Sequence, residues 1–271
     1  MTCPTAPPAS PSPSAGTRPL PALDVLVPTD GTDGTRIDPD PSERRLSGLY
    51  AYPEGATVRA NMVTSVDGAA WGPDGRSGSI NDAADWRVFR VLRALADVVL
   101  VGAGTARAEG YGPLGVPRGL GGLRRGDRPL EVAVVTGRGD VPPGLVTTDR
   151  APYVLTSARG ADAARRSVPA DRVVAVGQDE VDLRAGLTAL AGRGLRHVLC
   201  EGGPRLLGDL LADDLVDELC LTTTPRLIGP GPGRVVGPVG GPAPATVRDA
   251  HLAHLLHSRG TLLARWVRPI G

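Results

Sequence analysis

The sequence predicts an α/β fold in which helices cover both faces of a mostly parallel central sheet. Strand-like and helix-like segments alternate from residue 57 onward, which is the pattern of parallel strands joined by helices. Residues 98–101 and 197–200 form short and largely apolar runs, as expected of strands that are covered on both faces. Residues 251–268 resemble a β-hairpin that turns near Arg259 and Gly260. We therefore expect a three-layer α/β/α fold that ends in an antiparallel hairpin.

The strands and helices follow from local composition and periodicity. Strands are predicted at residues 58–65, 98–101, 131–136, 152–156, 172–176, 197–200 and 218–223. A helix at residues 183–191 is expected to end at Gly192 and Gly194, and a helix at residues 204–211 has Pro204 in its first turn.

The clearest helix is predicted at residues 83–96. Its apolar residues recur at steps of three and four, which is the helical period: Trp86, Phe89, Leu92 and Ala96. Asn81 or Asp82 is the expected N-cap, and Asp85 falls in the first turn, near the positive end of the helix dipole.

Composition divides the chain into three parts. Residues 1–21 are rich in Pro, Ser, Thr and Ala and are predicted to be a disordered tail, because they cannot bury enough apolar surface to offset the entropy of ordering. Residues 22–56 are acidic and contain many Pro and Gly residues, so we expect an extended N-terminal arm with one short helix at residues 41–49. The ordered domain is expected to cover residues 57–271.

Charge and residue content exclude several classes of function. The 30 basic and 29 acidic residues nearly balance, so no nucleic-acid partner is expected. Every basic residue is Arg, which excludes a P-loop lysine or a Schiff-base lysine. The 3 cysteines lack the spacing of zinc ligands, and no metal site is expected. The sequence shows neither a membrane-spanning run nor a signal peptide, so we expect a cytoplasmic protein.

Two predicted strands end directly in glycines that precede a helix. Gly102 and Gly104 follow one strand, and Gly202 and Gly203 follow the other. Glycine allows close backbone approach, and the free N–H groups of a helix start attract phosphate. Each loop is therefore either a candidate phosphate cradle or a plain tight turn. Arg107 stands where the third glycine of a Rossmann fingerprint belongs, so an ordinary Rossmann dehydrogenase is disfavoured.

A third loop, with Ser65, Asp67 and Gly68, follows the strand at residues 58–65 and is expected at the same edge of the sheet.

Five blocks carry a resemblance: Asn61-x3-Ser65-x-Asp67-Gly68, Leu92-Arg93-Ala94-x-Ala96-Asp97, Val101-Gly102-Ala103-Gly104-Thr105-x3-Glu109, Glu201-Gly202-Gly203-Pro204 and Leu215-Val216-Asp217-Glu218. In this order they resemble the pyrimidine reductase family, the reductase domain of the bifunctional riboflavin-biosynthesis deaminase/reductase. The resemblance covers about residues 57–268 and implies a dihydrofolate-reductase-like fold and a homodimer formed through the sheet edge.

The resemblance also implies an activity and a coenzyme. Family members use NADPH to reduce 5-amino-6-(5-phosphoribosylamino)uracil to its ribitylamino form, by hydride addition to C1′ of the ring-opened sugar imine. The residues expected to contact the coenzyme are Val63, Ser65, Ser79, Gly102, Gly104, Thr105, Glu109, Thr136, Arg138, Gly202, Gly203, Pro204, Arg205, Leu206 and Leu207. Arg138 either supplies the charge that selects a 2′-phosphate or is a solvated loop arginine.

On the substrate side, Ser77, Arg93 and Glu201 match family positions. Arg93 is suited to grip a phosphate or a pyrimidine carbonyl, and Glu201 to accept pyrimidine N–H groups. The plainer alternatives are a surface ion pair between Arg93 and Asp97, and a helix N-terminal carboxylate for Glu201. Asp67 and Glu201 are the candidate catalytic residues, with Asp67 either assisting protonation or orienting the ribose hydroxyls.

The chain departs from the family pattern after Glu109, where Gly110-Tyr111-Gly112-Pro113-Leu114 replaces Asp-Pro-x-Leu-x-x-Arg. Leu114 and Arg118 are the expected matches for the family leucine and the phosphate-binding arginine. The departure leaves open a same-fold reductase of another pterin or pyrimidine, such as dihydrofolate, and a non-catalytic NADPH-binding sensor. The zinc motifs of the companion deaminase are missing from the sequence, so only reductase activity is expected.

Overall fold

The computed structural model of the chain describes residues 19–27, 35–146, 150–238 and 247–269. The strands are β1 (Leu23–Val27), β2 (Arg36–Ile37), β3 (Thr57–Ser65), β4 (Val98–Gly102), β5 (Glu131–Val135), β6 (Tyr153–Thr156), β7 (Val173–Ala175), β8 (His197–Cys200), β9 (Glu218–Thr224), β10 (His251–Ser258) and β11 (Thr261–Val267). The helices are α1 (Arg44–Leu49), α2 (Ala83–Leu95), α3 (Ala103–Ala108), α4 (Pro143–Val146), α5 (Ala161–Arg165), α6 (Leu183–Gly192) and α7 (Pro204–Ala212). Short 3₁₀ turns lie at Ser77–Ser79, Gly121–Leu123, Ala158–Gly160 and Ala170–Arg172.

The described strands form a single sheet in the order β2-β1-β10-β11-β9-β3-β8-β4-β5-β6-β7. From β9 to β7 every neighbouring pair is parallel. The strands from β11 to β2 pair antiparallel, and β10 and β11 form the C-terminal hairpin with its turn at Arg259 and Gly260. The predicted fold class, a mostly parallel sheet with a C-terminal antiparallel hairpin, is confirmed. It is the architecture that the dihydrofolate-reductase-like resemblance implies.

Helices cover both faces of this sheet and bury two cores. Leu92 of α2 packs with Val99 of β4 on one face, and Leu190 of α6 and Leu207 of α7 pack with Leu100 of β4 on the other. Successive strand residues point to opposite faces, so a strand that lies between two cores must be apolar at every position. This explains the uninterrupted apolar run of β4.

Residues 22–56 are part of the sheet and of the core. β1 pairs antiparallel with β10, with Val25 opposite Leu256, and β2 pairs with β1. Leu23 and Val25 are buried in the same core as α2. The packed unit therefore begins before residue 57, where the sequence predicted its start. Residues 1–18 of the predicted disordered tail lie outside the described residues.

Helix α2 has the expected N-cap, and its apolar repeat lies only partly in the core. The Asp82 carboxylate accepts hydrogen bonds from the N–H groups of Ala84 and Asp85, at 2.8 and 3.0 Å. Trp86 is 40% exposed and Phe89 is half-buried, so these two members of the apolar repeat lie outside the core. The buried residues of α2 are Ala84, Asp85, Arg87, Val88, Val91, Leu92 and Ala94.

Within the described ranges, no helix has both the length and the hydropathy that crossing a membrane would take. The two edges of the sheet are β2 and β7. A homodimer through a sheet edge stays a prediction.

Candidate active site

A cavity of about 480 Å³ opens where β3, β4 and β8 end. It is bordered by the loops after these strands and by one face of α2. Predicted site residues in its lining are Val63, Ser77, Arg93, Gly104, Thr105, Glu109, Glu201, Gly203 and Pro204. The cavity thus joins residues expected to bind a coenzyme with residues expected to bind a substrate.

The two glycine loops lie side by side because β4 and β8 are parallel neighbours. The Gly102 N–H donates to the Gly202 carbonyl, with an N···O distance of 2.8 Å. A Cβ on Gly203 would overlap the Thr105 hydroxyl, so glycine at this position lets the loops approach. Gly202 has a φ of 84°, in the left-handed region that favours glycine, and the Gly202–Gly203 peptide is cis.

The two glycine loops border the cavity at the starts of α3 and α7. Apart from its chain neighbours and its own helix backbone, no heavy atom of the described residues lies within 4 Å of the place where a Cβ of Gly104 would stand, so the start of α3 faces open space. Helix α7 begins at Pro204 without a side-chain cap, which leaves N–H groups of its first turn for an anion. The Gly237 N–H donates to the Pro204 carbonyl at 2.8 Å, so the chain at residue 237 borders the first turn of α7.

The predicted coenzyme residues of α7 differ in what their side chains can do. Leu206 and Leu207 are buried in the core, so contacts to a diphosphate would come from their backbone. Arg205 is exposed. Their coenzyme contacts stay predictions.

Glu109 connects two loops at the cavity wall. Its carboxylate accepts the Ser77 N–H at 2.8 Å, and its own N–H donates to the Thr105 carbonyl at 2.9 Å. The Ser79 hydroxyl donates to the Asp74 carboxylate at 2.7 Å and does not line the cavity. Glu109 therefore fixes the 3₁₀ turn at Ser77–Ser79 beside α3.

Arg93 and Glu201, each expected to contact substrate, are paired with one another. Arg93 Nε lies 2.7 Å from Glu201 Oε1, and Arg93 Nη2 lies 2.8 Å from Glu201 Oε2. The Tyr111 hydroxyl donates to Glu201 Oε2 at 2.5 Å. Asp97, the alternative partner for Arg93, instead accepts the His197 N–H at 2.8 Å. The surface ion pair between Arg93 and Asp97, which the sequence offered as an alternative, does not form.

The Arg93 guanidinium of this pair is partly desolvated and stays charged. Burial works to lower the pKa of Arg93, but the Glu201 carboxylate outweighs it and raises the pKa above the ordinary value. Burial, then the nearby Glu201 charge, raise the pKa of Tyr111 well above its usual range, so Tyr111 keeps its proton. The Arg93 guanidinium lies 4.1 Å from the centroid of the Phe89 ring. Among the described residues no acceptor binds Arg93 Nη1, which leaves one donor group for a ligand.

Asp67 and Ser65 lie together outside the cavity lining. Asp67 accepts hydrogen bonds from the Ser65 hydroxyl and from the N–H groups of Ile228 and Gly229, at 3.0 and 2.7 Å. The Ser65 hydroxyl and the Gly229 N–H lower the pKa of Asp67, so it is a carboxylate at neutral pH. Both residues secure the turn after β3, and the structure brings neither to the cavity. The protonating role of Asp67 stays a prediction that this geometry disfavours.

The remaining predicted residues divide into two groups. Thr136 and the exposed Arg138 follow β5, the parallel neighbour of β4. They therefore lie at the same carboxyl ends of the strands as the glycine loops. Leu114 packs on the core, and Arg118 is exposed, with its carbonyl accepting from Arg90 at 2.8 Å. The structure does not bring Leu114 or Arg118 into the cavity.

Several cavity residues were missed in the sequence. Half of the chain's aromatic residues line the cavity: Trp71, Trp86, Phe89 and Tyr111. Their scarcity in the chain is the signal that could have identified them, because a core made of aliphatic residues has no need of them. Asp85 also lines the cavity, although its position predicted only a favourable charge at a helix start.

No group of three His, Cys, Asp or Glu suited to a metal ion occurs in the described part of the chain.

Residues 56–258 match the family model described as the RibD C-terminal domain. The chain belongs to the RibD C-terminal domain family. It is therefore a pyrimidine reductase family member of riboflavin biosynthesis, within a group of NAD(P)H-dependent oxidoreductases.

Proteins similar to this RibD C-terminal domain chain include archaeal and bacterial ones. The 2,5-diamino-6-ribosylamino-4(3H)-pyrimidinone 5′-phosphate reductase of Archaeoglobus fulgidus is 30% identical over 179 residues, which cover 64% of this chain and 81% of that protein. The riboflavin biosynthesis protein RibD of Mycobacterium tuberculosis is 31% identical over 184 residues, 68% of this chain and 46% of that protein. A solved pyrimidine reductase-like protein of Corynebacterium diphtheriae superimposes with a TM-score of 0.69 at 25% identity, covering 80% of this chain and 93% of that one.

Proposed function

We propose that the protein is an NADPH-dependent reductase that converts 5-amino-6-(5-phosphoribosylamino)uracil to its ribitylamino form. The observation that carries this proposal is that the two glycine loops and the Arg93–Glu201 pair line the same cavity. Hydride transfer requires contact between coenzyme and substrate, and a shared cavity provides that proximity. The homodimer and the cytoplasmic location belong to the same proposal.

The residues of the cavity fit the coenzyme that the family uses. When bound, NADPH supplies the hydride. Gly104, Gly203 and the free N–H groups at the start of α7 would hold its diphosphate, and Val63 borders the space for the nicotinamide. Arg138, beyond the end of β5, is the candidate partner of the 2′-phosphate, which favours NADPH over NADH.

The opposite side of the cavity suits a flat polar ring. Arg93 offers its free Nη1 donor, and Glu201 is a fixed acceptor beside it. The aromatic residues Trp86, Phe89 and Tyr111 provide apolar surface that excludes water and can stack on a pyrimidine.

The proposal is tested by following NADPH oxidation with three purified substrates. These are 5-amino-6-(5-phosphoribosylamino)uracil, the 2,5-diaminopyrimidinone phosphate that the archaeal relative's name specifies, and dihydrofolate. We expect turnover of the uracil compound. Turnover of the diaminopyrimidinone alone would change the substrate but keep the reductase, turnover of dihydrofolate alone would contradict the proposal, and tight NADPH binding without any turnover would favour a sensor.

The coenzyme assignment has a separate test with a matched control. Gly104 and Gly192 both lie in helices, and at neither position does a heavy atom lie within 4 Å of the place that a Cβ would occupy. Alanine at either site therefore causes no clash within the protein. It reduces the conformational entropy of the unfolded chain, which stabilises the folded state by about 0.5–1 kcal/mol. We expect Gly104→Ala to weaken NADPH binding about tenfold or more in a fluorescence titration, and Gly192→Ala to leave it unchanged. Equal affinity in the two variants would show that the diphosphate does not lie at α3.

A further inference from the structure

One acidic side chain in the cavity has no part in the contacts described so far. Asp85 lies in the first turn of α2, is buried, and lines the cavity together with Phe89 and Arg93. These three residues are spaced four apart, so they share one face of the helix. Asp85 therefore borders the same ligand space as the Arg93–Glu201 pair, about 12 Å further along the helix axis.

The surroundings of Asp85 contain other acids but no paired cation. Asp82 precedes it on α2, Thr222 of β9 hydrogen-bonds to it, and Tyr50 after α1 lies within electrostatic range. Across the cavity stand Arg93, Glu201 and Glu109, and Arg93 is already paired with Glu201. None of the ion pairs among the described residues includes Asp85.

Burial raises the pKa of Asp85 from 3.8 to about 6, and the nearby Asp82 adds to this rise. The hydrogen bond from Thr222 works in the opposite direction and lowers the pKa. A buried carboxyl without a cationic partner holds its proton in conditions where an exposed aspartate has lost it. Asp85 therefore has a proton to give at mildly acidic pH, where an exposed aspartate has none.

We propose that Asp85 is the general acid that protonates the imine nitrogen during the reduction. This inference rests on the proposed function. C1′ of the C=N bond accepts the hydride that the coenzyme supplies, and the π-electron pair of that bond moves onto the nitrogen. The nitrogen forms its new N–H bond as the O–H bond of Asp85 breaks, and the carboxylate regains a proton from water. The sugar carbon is reduced and the coenzyme is oxidised.

The other acids near the cavity are engaged elsewhere. Glu201 accepts three hydrogen bonds from Arg93 and Tyr111, and Glu109 accepts the Ser77 N–H. Asp67, the sequence candidate for protonation, lies outside the cavity lining with a lowered pKa. Of the acidic residues in the described lining, Asp85 is the one whose proton is available to a ligand.

Kinetics of Asp85→Asn test the proposal in the full-length protein with the uracil substrate. We expect kcat to fall by about 100-fold or more, the usual contribution of general acid catalysis, with NADPH affinity unchanged. In the wild type, kcat/KM should fall about tenfold per pH unit above about pH 6, because the acid form is lost. This alkaline limb should be missing in Asp85→Asn. In Thr222→Val the alkaline limb should move to higher pH, because the hydrogen bond that lowers the pKa of Asp85 is removed.

A second measurement does not depend on turnover. An acid whose pKa is raised in the folded state contributes stability that is fully present below its unfolded pKa of 3.8 and is lost as the pH rises through about 6. The Tm of the coenzyme-free wild type should therefore fall relative to that of Asp85→Asn from about pH 4 to about pH 8.

The outcomes separate the general acid from the activity itself. Wild-type turnover together with an unchanged kcat and pH profile in Asp85→Asn would overturn the general acid and keep the reductase. No wild-type turnover with either the uracil or the diaminopyrimidinone substrate would overturn both. Should Asp85→Asn fail to fold, the alkaline limb of Thr222→Val decides, and an unmoved limb would overturn the proposal.

Discussion

Helix α2 carries two arginine–glutamate pairs on different faces, and they show how the same contact serves structure in one place and ligand binding in another. Arg87 and Glu43 have side chains that are 0% and 3% exposed, and all five N–H groups of Arg87 find acceptors, in Glu43 and in the carbonyls of Pro21, Ile37 and Asp38. Arg93 is 16% exposed, and only its Nε and Nη2 are used.

The two pairs differ in whether the arginine has an N–H group without an acceptor. Arg87 has no remaining donor, so its role is to attach the N-terminal strands to α2 and the core. Arg93 keeps a donor and an aromatic neighbour at the cavity, so it has bonding capacity for a ligand. A buried ion pair marks a functional site when one partner has a free group that faces open space.

The largest effect is expected from Arg87→Met. Removing one partner of a buried pair leaves an uncompensated charge, which typically costs about 3–5 kcal/mol. Urea unfolding should show this loss, while the folded fraction retains wild-type NADPH affinity. The double variant Arg87→Met/Glu43→Gln should recover part of the stability, because no unpaired charge remains. A loss below about 1 kcal/mol would mean that the pair does not hold the N-terminal segment.

Arg93→Met sharpens the comparison from the other side of the helix. We expect KM for the uracil substrate to rise about 10–100-fold, the usual worth of a charge-assisted hydrogen bond. NADPH affinity should change less than twofold, because the hydrogen-bond partner of Arg93 is the Glu201 side chain and not the backbone of Gly104 or Gly203. If NADPH affinity falls before substrate affinity, the division of the cavity into coenzyme and substrate sides is wrong.

The smallest effect is expected from Tyr111→Phe. This change deletes one hydrogen bond to Glu201 and keeps the ring and both charges. Such a bond contributes about 1 kcal/mol, so kcat/KM should fall about fivefold. An effect as large as that of Arg93→Met would show that Tyr111 itself contacts the substrate.

The sequence predicted the fold well because local signals and global topology agree. The alternation of β4, β8 and their following helices required a parallel sheet, and the Asp82 N-cap defined the start of α2. β1 and β2 were not predicted, because residues 22–56 are rich in Pro, Gly and Asp. In addition, β1 pairs with β10, more than 200 residues away, and β2 pairs only with β1.

The site was predicted residue by residue but not as an arrangement. Arg93 and Glu201 were both selected, yet their pairing spans 108 residues and leaves no local pattern. The apolar repeat that includes Trp86 and Phe89 predicted the helix but not the cavity, because helical periodicity shows that a face is apolar and not whether a core or a cavity covers it. Arg87 within the core was missed for the related reason that an arginine on a helix is usually solvated.

The central claim is that hydride from NADPH reaches the sugar carbon of a pyrimidine held in this cavity. It is tested by running the reaction with NADPH that carries deuterium at nicotinamide C4, and locating the label in the product by mass spectrometry and NMR. The account predicts one deuterium at C1′ of the ribityl chain, and none at that carbon when unlabelled NADPH is used in D₂O. A product without deuterium at C1′, or with label taken from solvent at that carbon, would contradict it.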